Sequence, residues 1–343
     1  MTVPRQRVTV VLFQLGGPDS LQAVQPFLYN LFCDPDILDL PLGGLLRKPL
    51  AWYIARKRWQ HAAHGYRATG NRSPILPLTQ RQARALEEVL RPYVNPRVVI
   101  AMRYWYPLTA RAAHEVSAAE ADQIVLLPLY PQFSFTTTGS SLNEWDRHYR
   151  GNGTPLHAVK HYHTHPLLVE AFVERIALSL QHFRRAPHTE SSDVHLIFSA
   201  HSVPLSFIER GDPYQRQVEE TVERVVRRGQ QAVAARDWPA QHTLCYQSKV
   251  GASRWLEPSI HETIRRLGAQ RVRQALAIPI SFVSDHIETL HELGIEVREE
   301  AQEAGLQQFE TMPGLNDSPR FIRALVELVA ASVGRETASV QGR

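Results

Sequence analysis

Cysteine is nearly absent from this chain: Cys33 and Cys245 are the only two in 343 residues. Two isolated thiols exclude a disulfide framework and any Cys-x-x-Cys metal or redox pair. No apolar run reaches the roughly 18 residues that a membrane-spanning helix needs. Residues 1–7 pass straight into a strand-like run, leaving no room for the apolar region and cleavage site of a signal peptide, so the expected location is the cytoplasm. A one-sided charge is missing too. Lys and Arg number 38 against 34 Asp and Glu, for a net charge of +4. An excess this mild suits an acidic small molecule, a membrane surface or nucleic acid without choosing among them. The loop Leu15-Gly16-Gly17-Pro18-Asp19 is glycine-rich but lacks the Gly-x-Gly-x-x-Gly fingerprint, which argues against dinucleotide binding. A Gly-x-Ser-x-Gly elbow is absent as well, which removes the usual basis for a serine hydrolase.

What remains is a globular composition, 43% apolar, in a chain long enough for two domains of ordinary size. In the first half, apolar runs at 8–15, 98–102, 124–129 and, more weakly, 156–162 read as strands, with helices at 21–32 and 79–90. In the second half, strands are expected at 194–198, 243–246, 272–280 and 307–311. Helices there are expected at 166–183, 213–235, 255–267, 287–294 and 319–333. Such alternation argues for parallel sheets covered by helices on both faces. The expected fold is α/β, with two similar doubly wound domains that each carry a four-stranded parallel sheet. Their expected bounds are 1–165 and 166–343, with the last helix free to pack back on the first domain.

Two stretches carry chemistry. Ser199-Ala200-His201-Ser202-Val203-Pro204 follows a β-branched run, which places His201 at the carboxyl end of a buried strand. In open α/β sheets the ligand crevice lies outside those ends, so the imidazole is placed for chemistry. A core histidine satisfied by backbone is the plain alternative. Against it stands a second stretch of the same design, where the run 275–283 delivers Ser284-Asp285-His286-Ile287-Glu288-Thr289-Leu290-His291-Glu292. If that stretch is α-helical, Asp285, Glu288 and Glu292 share a face with His291 close beside. A merely solvated helix face is the alternative reading of that row.

These two stretches resemble the active-site signatures of ferrochelatase, the family that inserts ferrous iron into a porphyrin to make haem. Further matching segments follow in the family's order. They are Leu15-Gly16-Gly17-Pro18, Ser73-Pro74-Ile75, Arg103-Tyr104, Tyr130-Pro131-Gln132, Thr137-Thr138-Gly139-Ser140-Ser141-Leu142, Arg210-Gly211-Asp212-Pro213-Tyr214 and Gln247-Ser248-Lys249-Val250-Gly251. The resemblance spans nearly the whole chain. It implies that His201 and Glu288 are catalytic and contact the metal, facing each other across the porphyrin, while Asp285, His286 and Glu292 support or feed them. It further implies that Arg58, Tyr66, Ser73, Tyr104 and Trp255 bind the substrate in a cleft between the domains. Ala252-Ser253-Arg254 departs from the family's proline-containing form, and Gln14 stands where many relatives have Asn. Some ferrochelatases carry an iron–sulfur cluster on a cysteine-rich C-terminal extension. No cysteine follows Cys245 here, so no cluster and no cofactor beyond the substrate Fe²⁺ is expected.

The chemistry asks for removal of two pyrrole protons, bending of a flat macrocycle and delivery of Fe²⁺. Imidazole suits proton removal near neutral pH and also suits Fe²⁺, so His201 reads as base, iron ligand or both. The stretch 41–59 sets Leu42, Leu45, Leu46, Leu50, Trp52, Tyr53 and Ile54 beside Arg47, Lys48, Arg56, Lys57 and Arg58. Such a segment can touch a membrane surface, cover an apolar ligand, or serve as an ordinary surface helix. The resulting expectation is a monomeric enzyme with porphyrin and ferrous iron as partners and no nucleic acid. Its place is the cytoplasm, with or without a weak peripheral contact on the inner face of the membrane. Protoporphyrin IX is the expected substrate and coproporphyrin III the alternative. A cobalt chelatase and a non-catalytic porphyrin carrier are the competing functions.

Overall fold

The structure is a computed structural model, and it describes residues 5–37, 43–151, 153–183, 193–232, 237–249 and 253–334. Contacts divide the chain into two compact units, Met1–Tyr162 with Asn316–Arg343, and His163–Leu315.

In the first unit, β1 (Arg7–Gln14), β2 (Asn95–Met102), β3 (Gln123–Pro128) and β4 (Leu156–Ala158) form one parallel sheet in the order β2-β1-β3-β4. Val10 of the central strand lies opposite Val98 and Val125. Every residue of β1 after Arg7 is buried, as expected of a parallel strand with helices on both faces. On one face Trp145 of helix Ser140–His148 meets Phe13 edge to face, with ring centroids 5.8 Å apart. The last helix, Pro319–Ser332, belongs to this unit and packs on helix Ile75–Leu90. It is tied there by Gln82 Nε2 donating to the Asn316 carbonyl at 2.9 Å and by an Arg81–Asp317 ion pair at 3.2 Å. The second unit therefore ends at Leu315, not at residue 343.

The second unit repeats the plan. Its strands β5 (His195–His201), β6 (His242–Gln247), β7 (Gln274–Pro279) and β8 (Gln308–Thr311) are parallel in the order β6-β5-β7-β8. In each sheet the order reverses beside the first strand, so the crevice that such folds use for ligands opens between β1 and β3 and between β5 and β7. Ile260, Ile264 and Leu267 recur at helical spacing and bury against Ile197 and Ala277 of the sheet. Their helix, Ile260–Ala269, starts five residues later than the apolar pattern from Trp255 suggests. The reason is a capping box: Ser259 Oγ accepts from the Glu262 N–H at 3.2 Å and the Ser259 N–H donates to Glu262 Oε2 at 2.9 Å.

Candidate active site

His201 is the last residue of β5, at the crevice where that sheet reverses order. Two neighbours fix its backbone. Its N–H donates to Ser281 Oγ just past β7 at 3.1 Å, and Tyr214 Oη donates to its carbonyl at 2.9 Å. Tyr214 is in turn set by Asp212, whose Oδ1 accepts the Tyr214 N–H at 3.0 Å at the start of helix Tyr214–Ala232. The imidazole is oriented by its own loop, because Nδ1 lies 2.6 Å from the Ser202 carbonyl oxygen. A carbonyl only accepts, so Nδ1 carries a hydrogen and the neutral ring presents its lone pair at Nε2. That Nε2 sits 3.8 Å from Glu288 Oε2, and the two side chains keep 38% and 23% of their surface exposed. A planar macrocycle needs about 3.5 Å of contact distance on each side. None fits into the 3.8 Å between these two groups as they stand here.

Glu288 opens a π-helix, Glu288–Glu296, where an α-helix was expected. The wider i→i+5 winding, frequent at functional sites, lines up Glu288 and Glu292 toward the end of β6. The single hydroxyl hydrogen of Ser248 is shared between them, with Oγ 3.0 Å from Glu288 Oε2 and 2.5 Å from Glu292 Oε2. Glu292 also accepts from the Ser248 N–H at 2.9 Å and from Gln247 Nε2 at 3.3 Å. His286 repeats the arrangement of His201. Its Nδ1 donates to the Ser284 carbonyl at 3.1 Å, and its buried Nε2 lies 3.8 Å from the same Glu288 Oε2. Phe282 packs on both imidazoles, 4.3 Å from the His286 ring centroid and 6.3 Å from that of His201.

The two carboxyls are driven apart. Burial pushes Glu288 upward, but His201, His286 and the Ser248 hydroxyl outweigh it and hold the group below the ordinary carboxylate range. Glu292 is raised by burial and by the negative charge of Glu288, against the opposing bonds from Ser248. The result is a fixed anion beside an imidazole nitrogen, the pairing that proton removal and transient contact with a divalent cation both need. Among the described residues, no group of three or more His, Cys, Asp or Glu side chains is arranged to hold a metal ion.

Asp285 and His291 make local ties. Asp285 precedes the π-helix, and its Oδ1 accepts the Gly314 N–H at 2.8 Å and the Thr289 hydroxyl at 3.3 Å. His291 is buried, with Nδ1 3.5 Å from Glu296 Oε1. Trp255 does not begin a helix. Its backbone forms a bridge with Pro204, and Leu205 N donates to the Arg254 carbonyl at 2.9 Å, so the half-buried Trp255 is anchored to the loop that follows His201.

Arg58, Tyr66, Ser73 and Tyr104 all belong to the first unit. Arg58 lies over the Phe32 ring at 5.9 Å from helix Gly43–Ala68, which also carries Tyr66, a buried residue. Ser73 Oγ accepts the Ile75 N–H at 3.3 Å. It is packed so closely on the loop after β1 that a Cβ at Gly17 would lie 2.5 Å from it. Tyr104 is 1% exposed, and its hydroxyl donates to the buried Asp34 at 2.5 Å. Arg103 and Ser140 converge on the same carboxylate at 3.0 and 2.6 Å. Sequence reasoning missed Ser202, Tyr214, Ser248 and Ser281 as members of the site. Tyr214 and Ser248 sit in segments that the resemblance marks, but no spacing rule singles them out. Leu42, Val250, Gly251 and Ala252 lie outside the described residues, as does the side chain of Leu45.

The family model described as Ferrochelatase matches residues 7–333. The chain belongs to the ferrochelatase family. A ferrochelatase of Aquifex aeolicus is 44% identical over 328 residues, which cover 94% of this chain and 99% of the relative. One from Caulobacter vibrioides is also 44% identical, over 339 residues covering 98% of this chain and 93% of the relative. Among solved structures, SirB from Bacillus subtilis with Fe³⁺ aligns with a TM-score of 0.54 at 13% identity, covering 96% of this chain and 98% of that one. A multi-domain protein of Deinococcus radiodurans, described as structurally similar to chelatases, aligns with a TM-score of 0.56 at 14% identity. The match covers 97% of this chain and 56% of that one. At those identities the structural matches bear on the fold alone, a plan of two similar α/β units.

Proposed function

We propose that this ferrochelatase, which inserts iron into a porphyrin in haem biosynthesis, takes protoporphyrin IX as substrate and uses His201 and Glu288 as its reacting pair. The observation that carries the reading is the fixed tautomer of His201, whose Nδ1 is bound to the Ser202 carbonyl at 2.6 Å while Nε2 stands 3.8 Å from Glu288. Nε2 takes the two pyrrole protons one at a time, the Glu288 carboxylate stabilises the imidazolium formed each time, and each proton is released to solvent at the 38% exposed His201 side chain before the next step. With the protons gone, the same nitrogen and oxygen are free to guide Fe²⁺ onto the ring from one face. His286 and Glu292 support this pair. Arg58, Tyr66, Ser73, Tyr104 and Trp255 are proposed to hold the macrocycle, directly for the accessible Arg58 and Trp255 and through the shape of the first unit for the buried three.

The enzyme is further proposed to act as a monomer in the cytoplasm, without a bound cofactor, in peripheral contact with anionic membrane. Support for the contact comes from helix Gly43–Ala68, where Leu46, Trp52 and Tyr53 are 58%, 52% and 49% exposed. Arg56 and Lys57 lie over the Trp52 and Tyr53 rings at 5.6 and 4.8 Å. Among the described residues, no helix is long and apolar enough to cross a membrane.

The test is iron insertion followed by loss of porphyrin fluorescence, with wild type and His201→Ala on protoporphyrin IX and coproporphyrin III. His201→Ala is expected to lose insertion while porphyrin binding stays within about tenfold. Equal loss of binding and turnover would make His201 structural. Faster turnover of coproporphyrin by the wild type would reverse the substrate assignment.

A further inference from the structure

Ser248 stands one residue past β6, and the β5–β6 register places its neighbour Gln247 opposite His201. Its backbone is left-handed, with φ of 64°. That region disfavours serine and suits glycine, and a residue held in it is a pointer to function when the surroundings keep it there. Here they do. The turn directs the Ser248 N–H to Glu292 Oε1 at 2.9 Å and its hydroxyl to Glu292 Oε2 and Glu288 Oε2 at 2.5 and 3.0 Å. A glycine would keep the N–H contact and relieve the backbone, so what the strained serine adds is the hydroxyl. Among the described residues, the Ser248 hydroxyl lies 3.0 Å from Glu288 Oε2, while the imidazole nitrogens of His201 and His286 stand at 3.8 Å.

We infer that Ser248 is a positioning residue of this enzyme: its hydroxyl sets the orientation of the Glu288 carboxylate against His201 and ties it to Glu292. The inference rests on the assignment of His201 and Glu288 as the reacting pair. Ser248 is not proposed to touch the ligand. It works through Glu288, so its loss should appear in turnover and not in porphyrin affinity.

The test is a double-mutant cycle of Ser248→Gly and Glu288→Gln, read by kcat and porphyrin KM in the fluorescence assay. Glycine suits the backbone, so a thermal melt at or above wild type confirms that the variant is folded. The expected result is a kcat lower by about tenfold in Ser248→Gly, an unchanged porphyrin KM, and little further loss when Ser248→Gly is added to Glu288→Gln. Additive losses would show that Ser248 acts independently of Glu288 and overturn the inference. Wild-type turnover in Ser248→Gly with impaired Glu288→Gln would overturn it while leaving the reacting pair intact. Wild-type turnover in Glu288→Gln would remove the pair and this inference with it.

Discussion

Glu288→Gln keeps the shape of the side chain and removes its charge. If the carboxylate stabilises the imidazolium that forms on His201, the loss follows from their separation of 3.8 Å. Two unit charges at that distance interact by about 4 kcal/mol at an effective dielectric of roughly 20. His201 is 38% exposed, so solvent screening reduces this. A halved value of about 2 kcal/mol is reasonable for such a partly exposed pair. That corresponds to about a thirtyfold fall in kcat. Porphyrin affinity, measured by fluorescence titration without iron, should change little, because the interaction exists only after proton transfer. Glu292→Gln, four positions on and held by Gln247 and Ser248, should cost no more than about threefold. Single-turnover insertion under anaerobic conditions with excess Fe²⁺ isolates the chemical step. A Glu288→Gln enzyme that keeps more than a third of wild-type kcat, or one that loses affinity and turnover in equal measure, would refute the electrostatic argument.

Three other outcomes follow from the structure. Burial, with the charges of His242 and Arg266 adding to it, pushes His195 from 6.5 down to about 4. The unfolded chain therefore binds this proton first as pH falls, so His195's part of the stability is full above pH 6.5 and is lost toward pH 4. Thermal melts should show His195→Gln losing less stability over that window than wild type, by up to about 2 kcal/mol after solvent screening, and equal losses would disprove the assignment. A Cβ at Gly268 would lie 2.3 Å from the Ala304 carbonyl, a backbone atom, so Gly268→Ala should cost about 1–3 kcal/mol. An unchanged melting temperature would show slack where helix Ile260–Ala269 meets the end of helix Val297–Glu303. Wild type should co-sediment with anionic vesicles at low salt and release at high salt, and Trp52→Ala with Leu46→Ala should weaken this. Absence of binding even at low salt would end the membrane proposal.

The sheets were legible because parallel strands covered on both faces are near-continuous apolar runs, and the middles of β1, β5 and β7 are mostly apolar. His201 was legible for the same reason: a polar residue at the end of such a run has few structural uses. Short helices escaped notice. Thr109–Ser117, Ser140–His148 and Val297–Glu303 bury only a few small or single large residues each, and such patterns do not stand out from loop sequence. The π-helix was illegible in principle, since its sequence satisfies an α-helical period until the end of β6 is known to face it. Asp285, ahead of that winding, is tied to Gly314 and Thr289, His291 lies 3.5 Å from Glu296, and Ser248, whose side chain lies in a loop with no period of its own, bonds the carboxyls. Tyr104 and Ser73 show a different limit. Resemblance marks them as important, and only geometry reveals that their hydroxyls are committed inside the first unit.

The repeated strand order makes the chain two copies of one scaffold, and the central strand of each ends in a polar side chain at the reversal point. In the second copy that side chain is His201, held with a nitrogen free. In the first it is Gln14, which is buried and spends its amide oxygen on the Leu15 N–H of its own chain at 2.9 Å. The equivalent position thus holds an amide bound to its own backbone in one copy and, in the other, the imidazole proposed as the reacting group. Redundancy of fold is not redundancy of function here, because neither copy can stand in for the other. Damage at Gln14 should register as lost stability and damage at His201 as lost turnover. The same asymmetry leaves the first copy's loops unconstrained by proton chemistry. That freedom accommodates the 26-residue helix Gly43–Ala68 with its exposed aromatic residues.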